Sequence, residues 1–177
     1  MKNILLFLAA SLSADLVLAQ YTPVEQGSSL NFKIKNFGFG ITGSFTGIHG
    51  KVIFDPANPA ANSVDLSVDA TTVNTDNSLR DNHLRGKDYF DVQQYPTIHF
   101  VSSKMIPAGK NAYTVSGRLT IRDKTRDLSF QVMEEVAGEG YLFKGSFPLN
   151  RRDFGVGGAS TISDNLEVTA IVQCKKM

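Results

Sequence analysis

The chain has 177 residues, with 18 Lys and Arg against 17 Asp and Glu and a formal net charge of +1. Acid and base are interspersed, so there is no electrostatic footprint for nucleic acid or an anionic membrane, and a dedicated DNA binder is disfavoured. The only cysteine is Cys174, so no intramolecular disulfide can form and stability must come from burial.

The first nineteen residues have the pattern of a removable leader. Lys2 supplies a positive start, Ile4 to Leu12 form an apolar stretch, and small Ala19 follows Val17 and Leu18. This predicts a secretory signal cleaved near Ala19, before Gln20, although Asp15 is an unusual residue so close to the cut. Gln20 in place of a cysteine leaves no lipoprotein acylation site there. The segment is too short and wrongly flanked for a stable membrane span, so no stable membrane insertion is expected. Removing nineteen of 177 residues leaves 158, one domain over 20–177. A domain of that size buries roughly 70% of its unfolded surface. Cys174, three residues from the C-terminus, is expected to be an inert packed thiol.

The mature chain reads mostly as strands. Leu30, Phe32 and Ile34 alternate with Asn31, Lys33 and Lys35, a two-residue period with one apolar face. Ile48, Val52 and Phe54 form a second run, interrupted by Gly47 and Gly50 as at a bend or bulge. Val64, Leu66, Val68 and Ala70 alternate cleanly with Ser63, Asp65, Ser67 and Asp69. Further runs are Ile98/Phe100, Tyr113 to Ile121, Leu128/Phe130/Val132, Tyr141 to Leu149, and Leu166 to Val172. That makes about eight strands, joined by turn-like segments such as Asp55-Pro56-Ala57-Asn58-Pro59 and Gly138-Glu139-Gly140. No long helices alternate with them, so the predicted class is an antiparallel all-β barrel or sandwich.

One segment departs from this period. From Thr75 to Arg85 the spacing is helical, with Leu79, His83 and Leu84 on or near one face. Asn74 or Thr75 is the expected N-cap, Asp76 falls in the first turn, and Gly86 marks the end. A helix this short must dock on the sheet, across an edge or one end of a barrel.

Motifs for chemistry are weak. Gly38-Phe39-Gly40-Ile41-Thr42-Gly43 has the spacing of a dinucleotide fingerprint, but a β-like run follows where a helix is needed. Gly155-Val156-Gly157-Gly158 lacks the Lys and Ser/Thr of a phosphate loop and is expected to be a mobile loop. His49, His83 and His99 form no ligand-spaced pair, and the possible calcium loop starting at Asp81 has Val92 at its closing position. No metal or cofactor is expected. Arg151-Arg152-Asp153-Phe154 is the densest charged group near a strand end. It reads either as a turn with a local Arg–Asp pair or as a head-group contact at a pocket mouth. His83 divides in the same way, between helix packing and a head-group contact.

Eleven Phe remain once Phe7 is removed with the leader, and there is no Trp. An eight-stranded barrel either fills itself with side chains or holds one small ligand. Strands of about ten residues at ~3.3 Å each, tilted by roughly 40°, give a barrel near 25 Å tall, suited to an elongated apolar guest. Fifteen buried methylenes contribute on the order of 12 kcal/mol gross at ~0.8 each, before ordering costs. Periodicity leaves open whether the interior is hollow.

Several phrases in order resemble the YceI-like family of exported bacterial proteins. They are Asp55-Pro56, Val64 to Thr75 leading into Leu79-Arg80-Asp81-Asn82-His83-Leu84, and Asp88-Tyr89-Phe90-Asp91. Tyr95-Pro96-Thr97-Ile98-His99-Phe100, Val115 to Arg122 and Arg152-Asp153-Phe154-Gly155 complete the set, which runs from about Tyr21 to Val172. Two departures stand out. Asn36 to Gly40 stands where many relatives are more polar, and Asp123-Lys124 replaces the usual glycine of that hairpin turn.

The resemblance implies an antiparallel eight-stranded lipocalin-like barrel with one short helix. It would enclose a polyisoprenoid, isoprenoid quinone or fatty-acid-like amphiphile in the periplasm, for storage, transport or stress protection. Phe32, Ile34, Val68, Phe100 and Val115 would line the tunnel with Leu119, Phe130, Phe147 and Val168. Leu79, Leu84, Tyr89 and Phe90 would form part of one end, with His83, Arg152 and Asp153 as head-group candidates. The expected partner is thus a small lipid, with no nucleic acid and with a homodimer left open. Two alternatives remain open. One is an enzyme acting on a lipid or carbohydrate through His83 with Asp81 or Asp88, and the other is a solid-core interaction protein.

Overall fold

The structure is a computed structural model that describes residues 19–158 and 161–177. The expected leader, apart from Ala19, lies outside the described residues. In chain order the strands are β1 (Gln20–Pro23), β2 (Ser29–Asn36), β3 (Phe39–Phe45), β4 (Ile48–Ile53) and β5 (Ser63–Asp69). Helix α1 (Ser78–Arg85) is followed by β6 (Thr97–Gly109), β7 (Ala112–Ile121), β8 (Lys124–Ala137), β9 (Gly140–Asn150) and β10 (Ile162–Lys176).

These segments close into an eight-stranded antiparallel barrel because two of its strands are interrupted. β1 and β2 lie in series along the same side of β10, Pro23 opposite Cys174 and Ser29 opposite Ile171. β3 pairs with β2 and β4 with β1, so β3 and β4 likewise form one broken strand. From β4 the ring runs through neighbouring hairpin pairs to β10 and back to β1. The break between β3 and β4 coincides with Gly47, whose φ of +70° suits a residue without Cβ.

Strand β3 falls in the β-like, glycine-rich run that leads up to Phe54. Its glycine at position 43 is dictated by tertiary packing: a Cβ there would fall 2.3 Å from Cζ of Phe32 on the paired strand. The apparent dinucleotide fingerprint is therefore a hairpin turn followed by a strand, with no helix opening after it.

The helix starts later than its spacing predicts. Asn77 caps it, its side chain accepting from the Arg80 N–H at 3.0 Å, and neither Asn74 nor Thr75 does so. The reason is local. Asp76 is left-handed, with φ of +57°, which ends any helical run through it. Thr75 is instead held by Asp81, whose carboxylate accepts from its backbone N–H at 2.9 Å and from its hydroxyl. Asp81, the one buried residue of the helix, is the acid in the first turn, and Gly86 closes the helix as expected.

Edge-on aromatic packing plugs one end of the barrel. Phe54, 1% exposed, meets Tyr141, Phe143 and Tyr113 at ring-centroid distances of 4.7, 5.1 and 5.2 Å. Cys174 is fully buried beside this plug, in register with Tyr141, and burial pushes its thiol up to about 12. A thiol reagent should therefore leave the native protein unlabelled and modify one equivalent only after denaturation. Fast labelling of folded protein would show the plug to be open.

Glu134 is also buried at this end, near Tyr113 and Tyr141. Desolvation raises its carboxyl above the usual 4.5, so the fold favours the protonated form. As pH rises through and above that value, the folded state loses stability relative to the unfolded one. Glu134→Gln should accordingly raise the melting temperature at pH 7, with the gain fading below about pH 4.5. A gain that grows on acidification would show the opposite shift.

Candidate functional site

The two-residue alternation that closes the sheet also points one side chain in two into the barrel. Outward positions are polar, as in Asn31, Lys33 and Lys35 on β2 or Asp65 on β5. Inward positions are aliphatic or aromatic, and they surround a cavity of about 250 Å³. The barrel is hollow. Leu30, Phe32, Leu66, Phe100, Phe130 and Leu149 all face this space and are only partly buried, as expected where no neighbour fills the lumen.

The cavity is a channel rather than a chamber. On β10 its wall runs from Ile162 to Val172. At ~3.3 Å per residue and a tilt of roughly 40° that is about 25 Å along the axis. Val52, Met105, Val132 and Phe143 bound it next to the aromatic plug, whereas Phe45, Phe90, Leu84 and Phe154 bound it near α1. Phe90 packs edge-on against Phe45 at 5.3 Å, so the segment after α1 roofs part of the channel.

Of the residues singled out in the sequence, Phe32, Ile34, Val68, Phe100, Val115, Leu119, Phe130, Phe147 and Val168 all lie on the channel wall. Leu84, Tyr89 and Phe90 do too. Leu79 does not. It is 82% exposed, because α1 turns Asp81 and Leu84 inward and at about 100° per residue Leu79 points the other way.

His83, Arg152 and Asp153 are exposed and absent from the wall. His83 packs its ring against Tyr89 at 5.1 Å, and among the described residues no carboxylate lies within 4 Å of it. The structure thus does not bring it together with Asp81 or Asp88. Arg152 pairs with Asp164 on β10, not with its neighbour Asp153.

The polar residues that do reach the channel were not read from the sequence as such. They are Thr75, Arg80 and Arg151, beside Asn31 and Ser67, which border it from β2 and β5. Arg80 donates from Nε to Thr75 Oγ1 at 2.7 Å and from Nη2 to the Thr75 carbonyl at 2.6 Å. Arg151 is buried, and its guanidinium donates to the carbonyls of Val156, Gly157, Gly158, Ile162 and Ser163 and to Asp164. The glycine-rich segment 155–158, expected to be mobile, is therefore wrapped around a buried cation. Arg122 adds a second tie, donating to the carbonyls of Tyr89 at 3.0 Å and Gly155 at 2.8 Å.

With these groups bonded to the protein itself, the wall favours hydrocarbon over a polar guest. Other wall residues lay within reach of the same period. Leu30 precedes Phe32 by two, Leu128 precedes Phe130, and Leu166 and Ala170 flank Val168. Among the described residues no group of three or more His, Cys, Asp or Glu converges on a metal-sized site. No helix there is long and apolar enough to cross a membrane.

Against known proteins, a model of the YceI-like domain matches residues 21–174. A UPF0312 protein of Vibrio cholerae is 30% identical over 154 residues, spanning 81% of this chain and 82% of its own. Among solved structures, BcnA of Burkholderia cenocepacia superposes with a TM-score of 0.80 at 29% identity, covering 85% of this chain and 98% of that one. A domain from Saccharophagus degradans, described as polyisoprenoid binding and implicated in plant cell wall breakdown, gives a TM-score of 0.71. It covers 90% of this chain and 99% of its own, and at 15% identity the likeness is one of fold.

Proposed function

Because the chain belongs to the YceI-like family, we propose that it is a non-enzymatic binding protein for a long-chain apolar or amphiphilic lipid. A polyisoprenoid, an isoprenoid quinone or a fatty-acid-like chain lies within the barrel, and the protein stores or carries it in the periplasm. The observation that carries this reading is the continuous apolar channel, about 250 Å³ and drawn out along the barrel. Its length suits a linear hydrocarbon, and burying fifteen methylenes there provides on the order of 12 kcal/mol before ordering costs. The polyisoprenoid-binding description of the S. degradans domain, a protein of the same fold, supports the same class of ligand. The leader-like first nineteen residues support export.

The test is direct. Protein purified without detergent should carry a lipid visible by native mass spectrometry and recovered by organic extraction. Stripped protein should gain thermal stability when a prenyl lipid is returned. Repeated recovery of empty protein, together with no gain from prenyl lipids or fatty acids, would overturn the assignment.

A further inference from the structure

The β2–β3 hairpin carries two large aromatic side chains that fold stability does not explain. Phe37 and Phe39 are 73% and 78% exposed. Phe37 and Gly38 form the two-residue turn, both with positive φ, +49° and +82°. This is the geometry in which Asn-Gly is the favoured pair and a bulky residue is strained. An aromatic ring here is thus unfavourable for the backbone and exposed to water, and such outliers point toward function.

The surroundings of the tip indicate what covers it. The chain as a whole is near neutral, but residues 29–45 contain Lys33 and Lys35 and no Asp or Glu, so the positive charge here is local to the hairpin. Both lysines are exposed on the outward face, about 7 and 13 Å behind Phe37 at ~3.3 Å per residue. Glu167 faces Lys33 from β10, so Lys35 is the less compensated of the two. On the inward face of the same hairpin, Ile34 and Ile41 belong to the channel wall. The tip therefore continues the channel outward. Two rings offer at most ~500 Å² of contact, well short of the ~800 Å² that one partner contributes to a stable protein interface. Shallow insertion into a bilayer, with cations at head-group level, needs no more than this.

We propose that the β2–β3 hairpin is a membrane-docking tip. Phe37 and Phe39 enter the outer part of an anionic phospholipid bilayer while Lys35 and Lys33 meet its head groups, which sets the end of the channel marked by Ile34 and Ile41 against the lipid source. This rests on the lipid-binding reading above for its purpose, but it is tested separately.

The probe is vesicles of phosphatidylethanolamine and phosphatidylglycerol, in co-sedimentation with the full mature chain. The variant Phe37→Asn/Phe39→Thr installs the favoured Asn-Gly turn and should fold at least as well, with an unchanged or higher melting temperature. Vesicle binding is expected to fall at least tenfold in this variant, and severalfold in Lys35→Glu or in high salt. The affinity for a short prenyl alcohol delivered in solution should stay within twofold. Undiminished vesicle binding by the aromatic variant would overturn the proposal. So would an equal loss of solution affinity, which would make the rings part of the channel. Self-association of the native chain that the variant abolishes would overturn it as well, identifying the tip as a contact between copies. If native protein binds vesicles but no lipid in solution, docking stands and the lipid-carrier reading falls.

Discussion

An Arg151→Lys variant is expected to lose about 3 kcal/mol of stability, although charge and approximate length are kept. The guanidinium reaches three sides at once. Nη1 serves the carbonyls of residues 156–158, Nη2 serves Ile162 and Asp164, and Nε serves Ser163. An ammonium places all its donors on one atom and cannot span these acceptors. Each buried carbonyl left without a partner costs ~1–3 kcal/mol, so three at the low end of that range set the figure. In a domain of this size 1 kcal/mol shifts the melting temperature by roughly 2–4 °C, so thermal unfolding should move down by about 6–12 °C. The loss should be mainly structural, with amide exchange accelerated in 155–158 and at the start of β10. A shift below about 2 °C would mean that water replaces the guanidinium at little cost.

The second large effect concerns the lumen. Ala170 on β10 lies between Leu30 and Gly145 in the sheet, and both it and Gly145 line the channel. Ala170→Trp should therefore place an indole across the lumen. In a packed core such a change costs ~1–3 kcal/mol, but here the added ring occupies free volume and gains apolar contact. Stability is expected to stay within about 1 kcal/mol of the native value. Lipid binding should not. If the ring denies the channel to five methylenes, about 4 kcal/mol is lost, close to a thousandfold in affinity. Titration with a fluorescent prenyl lipid, beside a melting curve, measures both. Native affinity in a folded Trp variant would show that the guest lies elsewhere.

The closed sheet was largely legible because side-chain polarity alternates with the pleat, a property of each strand read alone. The nine strand residues that the resemblance implied for the tunnel all lie on the wall, on the inward side of that alternation. β1 carries too little pattern in four residues, and β3 reads only as part of a β-like, glycine-rich run because its alternate positions include Gly43. The helix terminus at Gly86 was legible too. Its start was not, since Asp76 takes a left-handed conformation that nothing in its neighbours announces. Leu79 points outward for a different reason: at about 100° per residue it lies roughly 140° from Leu84 on the helix, and the helix docks through Asp81 and Leu84.

The sequence by itself determined the class of sheet, the apolar character of its inner face, the position of the short helix and the unshared cysteine. All of these follow from local spacing and from counts. Only the tertiary structure decided that the barrel is hollow, because free volume depends on how distant side chains meet, as Phe32 does over Gly43. Only tertiary structure decided that Arg151 rather than Arg152 is buried, since its acceptors arrive with the chain's return into β10. It also decided where the channel ends, by placing the tip of one hairpin beyond the residues that line the lumen.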